Sequence, residues 1–162
     1  MTTDSTPANP GVRFPPPLLF LLGFGIAWLL EKYVLRINLA HSVETLAVFQ
    51  SIGLLLTAAG FALMFWGLFT FARVRTGIVP MRPATRIVTH GPYRFTRNPM
   101  YTGMATALAG GALIVDSGWT LAMIPFVMLT VYHLVIKREE RYLTSAFPAE
   151  YGEYKARVRR FL

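Results

Sequence analysis

The sequence predicts an all-α integral membrane protein with four transmembrane helices, a long cytoplasmic loop and a cytoplasmic C-terminal helical extension. Three observations carry that reading. The 162 residues are 54% hydrophobic and 15% charged, whereas a soluble domain carries about 25% charge. The apolar residues lie in blocks, and a membrane helix needs roughly 20 of them in a row. And 14 of the 16 Lys and Arg residues fall on one side of those blocks, the asymmetry that marks the cytoplasmic face.

Residues 1–17 are polar and hold five prolines, so they bury little and read as a flexible tail ahead of a single domain over 18–162. The first apolar block, Leu18 to Leu35, spans if Glu31 and Lys32 lie near an interface. The start Met1-Thr2-Thr3-Asp4 lacks a basic leader, so this block is expected to be retained. Residues 37–45 form a short outer loop. The second block, Leu46 to Ala72, carries no charge. Gly53, Gly60 and Gly67 recur every seven residues, which places them on one face where another helix can approach closely.

Residues 73–99 form the long cytoplasmic loop, and Pro80, Pro83, Pro92 and Pro99 forbid a continuous helix through it. A loop of that length in a compact chain is usually functional. Met100 to Val115 is a short third span rich in small residues. Asp116-Ser117-Gly118 is a tight outer turn, and Trp119 to Ile136 is the fourth span, with Pro125 as a kink. Lys137 to Phe147 continues that helix into the cytoplasm until Pro148 stops it. Glu150 to Arg160 reads as a further short helix whose Tyr151, Tyr154 and Val158 stripe either lies on the membrane interface or covers a site.

The net charge of +8 suits nucleic acid in the abstract, but its positions argue for topology. Arg73, Arg75, Arg82, Arg86, Arg94 and Arg97 lie in the long loop; Lys137, Arg138, Arg141, Lys155, Arg157, Arg159 and Arg160 follow the last span; Arg13 precedes the first. Only Lys32 and Arg36 fall on the other side. Both termini are therefore expected in the cytoplasm, with no nucleic-acid partner. Membrane lipids are the expected neighbours, since surplus cations attract anionic headgroups. The sequence holds no cysteine, which excludes disulfides, thiolate nucleophiles and cysteine metal sites. His41, His90 and His133 lack a ligand spacing, so no metal site is expected.

Two motifs carry chemistry. Glu139 and Glu140 sit about one turn beyond the last span, and neighbouring helical positions point about 100° apart, so one of them faces the bundle. Ionisable groups near membrane depth are costly and often functional; the plain alternative is an ion-pair patch with Lys137, Arg138 and Arg141. The loop run His90-Gly91-Pro92-Tyr93-Arg94-Phe95-Thr96-Arg97-Asn98-Pro99-Met100-Tyr101 is the second. Gly91-Pro92 suits a turn that brings backbone close to a ligand. Arg94 and Arg97 offer forked donors for a carboxylate or phosphate. Tyr93 and Tyr101 offer ring faces and hydroxyls, Asn98-Pro99 sets the start of the third span, and His90 is a base, a donor or merely polar.

Together these motifs, Gly91-Pro92-Tyr93-Arg94, Arg97-Asn98-Pro99-Met100-Tyr101, Glu139-Glu140-Arg141-Tyr142-Leu143, and Phe147 with Tyr151 and Tyr154, resemble the isoprenylcysteine carboxyl methyltransferases and the related phospholipid methyltransferases over about residues 46–162. The resemblance implies a membrane methyltransferase using S-adenosyl-L-methionine, with S-adenosyl-L-homocysteine as product. It implies a cofactor pocket shaped by His90, Gly91, Pro92, Tyr93, Asn98, Pro99 and Tyr101. Glu139 and Glu140 would meet the cofactor's ammonium or ribose hydroxyls. Arg94 or Arg97 would meet its carboxylate or an acidic group of the substrate. Arg97, Glu140 and Tyr101 are the expected catalytic residues. Asn98 stands where the eukaryotic prenylcysteine enzymes have His, and this chain is shorter than they are, which argues against a prenylated-protein substrate.

The expected acceptor is a lipophilic small molecule or lipid methylated on oxygen, sulfur or nitrogen, a carboxylate foremost, in a bacterial plasma membrane. Methyl transfer from a sulfonium is an in-line displacement, so alignment and desolvation can suffice without a nucleophilic triad. Rival readings are a small four-helix transporter using Glu31, a membrane reductase of the sterol-reductase type, and a non-enzymatic scaffold. The oligomeric state is not set by the sequence.

Overall fold

The structure, a computed structural model, describes residues 15–74 and 86–161. The tail before Pro15 and the part of the long loop with Arg75, Pro80, Arg82 and Pro83 lie outside the described residues.

Four helices run antiparallel to their neighbours in sequence: α1 (Pro16–Tyr33), α2 (Val43–Val74), α3 (Pro99–Ile114) and α4 (Gly118–Val131). A π-helical turn, Tyr132–Ile136, joins α4 to α5 (Lys137–Ala146), and α6 is Pro148–Arg157. Among the described residues no strand occurs. α1 starts at Pro16, inside the stretch assigned to the tail: proline lacks an N–H, and the first helical turn leaves that donor without a partner anyway.

α2 and α3 form the tightest pair, and glycines make it possible. A Cβ on Gly53 would lie 2.6 Å from the Gly110 carbonyl. One on Gly60 would lie 2.6 Å from the Gly103 carbonyl, and one on Gly67 would meet Met100 at 2.9 Å. The seven-residue glycine spacing thus brings two backbones into contact, and Gly103 and Gly110 answer it from α3.

At the opposite end from the motifs, backbone groups tie the short connections together. Asp116, at φ 55°, accepts hydrogen bonds from the Leu39 and Ala40 amides at 2.8 Å each. Ser117 caps α4 by accepting from the Thr120 amide, and the Gly118 amide donates to Ile37. The tight turn expected at Asp116-Ser117-Gly118 is present.

Two helical stretches are long and apolar enough to cross a membrane, Val43–Arg73 and Gly118–Ala146. The apolar part of the second ends at Ile136; Lys137 to Arg141 are five consecutive charged residues that belong beyond the hydrocarbon. α1 is 18 residues diluted by two prolines, Glu31 and Lys32, and α3 is 16 residues, about 24 Å at 1.5 Å per residue. Neither meets that test by itself. The outward faces are apolar: Leu21, Leu22, Leu54, Leu55, Phe69, Phe126 and Leu129 are all more than half exposed. Such a surface would aggregate in water and suits lipid. The chain is a membrane protein.

The π-turn is not written in the sequence pattern. It adds a residue to the helix and rotates everything after it. Val135 and Ile136 are consequently both buried, packed with Phe20, Tyr101, Val127 and Val131.

Candidate active site

The two motifs meet. Arg97, in the turn before α3, donates from Nη1 to Glu140 Oε1 at 2.9 Å, 43 residues away. Tyr101, in the first turn of α3, donates its hydroxyl to Glu139 at 3.1 Å from Oε1 and 3.3 Å from Oε2. Adjacent glutamates on α5 therefore serve different partners, as their 100° separation requires.

A 3₁₀ turn, Gly91–Arg94, sets up the loop side. Gly91 sits at φ +62°, where a Cβ would also lie 2.8 Å from Thr70 Oγ1; both facts call for glycine. Pro92 and Tyr93 are buried beneath it. The Tyr93 ring meets Phe71 edge-on at 4.9 Å, and its carbonyl accepts from Tyr154 Oη at 2.8 Å. Val88, Tyr93, Tyr151 and Tyr154 form one buried cluster. The Tyr151 and Tyr154 stripe of α6 thus packs onto the loop motif.

Glu140 also receives Arg160, whose Nε donates to Oε1 at 2.9 Å and Nη2 to Oε2 at 2.8 Å. One carboxylate thus holds two guanidiniums. Burial would raise the Glu140 carboxyl, but the hydrogen bond from Arg160 and the charges of Arg97, Arg160 and Lys155 outweigh it and leave it below the ordinary value. Glu139 goes the other way. Burial pushes it up, the Tyr101 hydroxyl lowers it, the charge of Glu140 raises it, and it ends at about 7. Burial also raises the Tyr93, Tyr151 and Tyr154 hydroxyls, so all three remain protonated donors at neutral pH.

Arg97, Asn98, Pro99, Tyr101, Glu139 and Glu140 are brought into this one cluster, with Gly91, Pro92 and Tyr93 forming the adjacent turn. His90 and Arg94 are exposed and stand outside it. Asn98 donates from Nδ2 to the Arg160 carbonyl at 3.0 Å. Sequence reasoning missed Arg160, Thr96 and the Tyr151 hydroxyl, which accepts from Arg97 at 3.3 Å. An arginine in a tail already full of arginines carries no signal of its own. Two buried polar atoms at the site have no protein partner, Tyr93 Oη and Arg97 Nε. Among the described residues no three His, Asp or Glu side chains gather where they could hold a metal ion.

Three curated proteins are similar to part of this chain. The cobalt-zinc-cadmium resistance protein CzcN of Cupriavidus metallidurans is 34% identical over 80 residues, 49% of this chain and 37% of that protein. The nickel-cobalt-cadmium resistance protein NccN of Alcaligenes xylosoxydans xylosoxydans is 30% identical over 80 residues, again 49% and 37%. The protein-S-isoprenylcysteine O-methyltransferase of Saccharomyces cerevisiae is 35% identical over 72 residues, 44% of this chain and 30% of the yeast protein. The chain thus spans only about 30–37% of the length of these relatives. No solved structure matches. The phospholipid methyltransferase family pattern matches residues 48–150, a stretch that runs from α2 through both motifs into α6. The chain belongs to the phospholipid methyltransferase family.

Proposed function

We propose that this protein is an S-adenosylmethionine-dependent membrane methyltransferase acting on a lipophilic acceptor, a carboxylate foremost. The observation that carries the reading is the convergence of Arg97 and Tyr101 on Glu140 and Glu139, inside the segment that matches the family. All four helices are taken to cross the bilayer. The short α3 is held between longer neighbours, and both motifs sit at the end where the basic residues gather, the cytoplasmic end by the positive-inside rule.

The residues present fit the cofactor. Carboxylates suit an ammonium group and ribose hydroxyls, and guanidinium suits a carboxylate. Tyr93 Oη and Arg97 Nε, buried without a protein partner, are donors that a polar ligand would satisfy, because leaving them unpaired is costly. Glu139, Glu140, Tyr93 and Arg97 would hold the group, with Gly91, Pro92, Asn98 and Pro99 shaping the wall. When bound, the cofactor supplies a methyl group already activated on a sulfonium.

What the chain itself must supply is alignment and exclusion of water. Tyr93, Tyr151 and Tyr154 close the loop side with buried rings. Arg97, 9% exposed at its side chain, would orient an acidic acceptor group and keep it ionised. A carboxylate nucleophile needs no base. For an amine acceptor, Glu139 near neutrality would accept the proton. An apolar acceptor could enter sideways from the lipid between helices.

The test is methyl transfer from labelled S-adenosylmethionine by the detergent-purified protein to panels of lipophilic acids, thiols and amines. Base-labile label on an acid is expected. Label in none of the panels, from a folded sample that binds S-adenosylhomocysteine, would remove the proposed acceptor class. Absence of binding as well would remove the enzyme reading.

A further inference from the structure

The segment Val158–Phe161 returns to the loop motif and binds it at several points. The Arg97 amide donates to the Arg159 carbonyl at 2.9 Å. The Arg160 carbonyl accepts from Thr96 Oγ1 at 3.0 Å and Asn98 Nδ2 at 3.0 Å. The Arg160 guanidinium forks onto Glu140 and lies over the Tyr132 ring, 5.0 Å from its centroid. Phe161 packs against the core cluster that contains Tyr101. One residue therefore touches the loop motif with its backbone, the glutamate motif with its side chain, and the π-turn with its cationic face.

We propose that Arg160 is a positioning residue: it acts through Glu140, fixing that carboxylate against Arg97, and the strap Val158–Phe161 thereby completes the site. The role rests on the methyltransferase reading, and it extends the working site beyond residues 48–150, the stretch that matches the family. The geometry selects arginine. A guanidinium donates two roughly parallel bonds to one carboxylate and stacks on an aromatic ring; a lysine ammonium offers a point charge and neither feature. With Arg97 alone, Glu140 would keep a single donor at one oxygen and be free to turn. With Arg160 on both oxygens it cannot turn without breaking two charge-assisted bonds. The competing possibility is that Arg160 merely fills the place of a ligand cation and must leave when one binds. The two predict opposite signs.

The experiment is calorimetric binding of S-adenosylhomocysteine to detergent-purified wild type, Arg160→Ala and Arg160→Lys, with Arg157→Ala as the exposed control. Melting temperature and hydrogen exchange at the Arg97 amide are measured on the same samples. A positioning role predicts that Arg160→Ala weakens binding by about tenfold to a hundredfold, the scale of a lost charge-assisted pair. Arg160→Lys recovers little, guanidinium ion at millimolar concentration restores part of the affinity, and Arg157→Ala matches wild type. Exchange at Arg97 quickens in Arg160→Ala whether or not the ligand binds. Tighter or unchanged binding in a folded Arg160→Ala protein would overturn the proposal, as would loss that guanidinium does not rescue at equal melting temperature. A wild type that binds no S-adenosylhomocysteine would instead defeat the functional reading, and unchanged exchange at Arg97 would then defeat the strap's role separately.

Discussion

Tyr101 places its hydroxyl 3.1 Å from Glu139 and so ties the first turn of α3 to the first turn of α5. The bond joins a residue of the loop motif to one of the glutamate pair, 38 positions apart. It keeps a buried carboxyl in hydrogen-bonded company, since a buried acceptor left unpaired costs more than the bond itself contributes.

Tyr101→Phe keeps the ring and removes only that donor. The expected loss of stability is about 1–3 kcal/mol, the cost of a buried polar group without its partner. Thermal melting in detergent measures it. An unchanged melting temperature would mean that water or lipid headgroups serve Glu139 equally well.

Glu139 and Glu140 give stability opposite pH slopes. The Glu139 carboxyl, pushed up to about 7 in the folded chain by burial, favours the protonated form. Its contribution is complete below the ordinary carboxylate value and is lost as pH rises toward 7. Glu140 is held low, against the cost of its burial, by the Arg160 hydrogen bond and the Arg97, Arg160 and Lys155 charges. Its contribution is present at neutral pH and disappears as pH falls below the ordinary carboxylate range. Melting temperature recorded against pH should therefore decline on both sides. Glu139→Gln should flatten the limb between about pH 4.5 and 7 and leave the acid limb intact; a profile unaltered by the substitution would contradict the assignment.

Gly60→Ala would set a methyl group against the α3 backbone, 2.6 Å from the Gly103 carbonyl and close to the Ala107 amide. Backbone cannot rotate away as a side chain can, so the α2–α3 pair must separate, at a cost above about 2 kcal/mol on the scale of overpacked contacts. Gly111→Ala meets nothing within 4 Å and should be neutral or stabilising by about 0.5–1 kcal/mol through the helix interior. Comparing the two melting temperatures separates packing from helix propensity.

Much of this was legible in the sequence because it was written in spacing. Glycines seven apart on α2 announced a close partner. The Asp116-Ser117-Gly118 turn announced the α3–α4 hairpin. The two motifs announced a shared site. The remainder was not carried by local pattern. The π-turn depends on how Val135 and Ile136 pack, not on any signature residue. Prolines at the start of α1 and the charges at its end dilute an apolar block into something shorter than a clear span. The unequal titration of Glu139 and Glu140 arises from partners 38 and 43 residues away. His90 and Arg94 belong to the same motif as Tyr93 and Arg97, yet the fold leaves the first pair exposed while the Tyr93 ring and most of the Arg97 side chain are covered.

The decisive measurement is calorimetric titration of S-adenosylhomocysteine into the detergent-purified protein, beside Glu140→Gln. Micromolar binding by the wild type and at least a tenfold loss in the variant are expected, with the variant still folded by its melting transition. Equal binding by the two would contradict the placement of the site on Glu140. No binding by a folded wild type would contradict the methyltransferase reading itself.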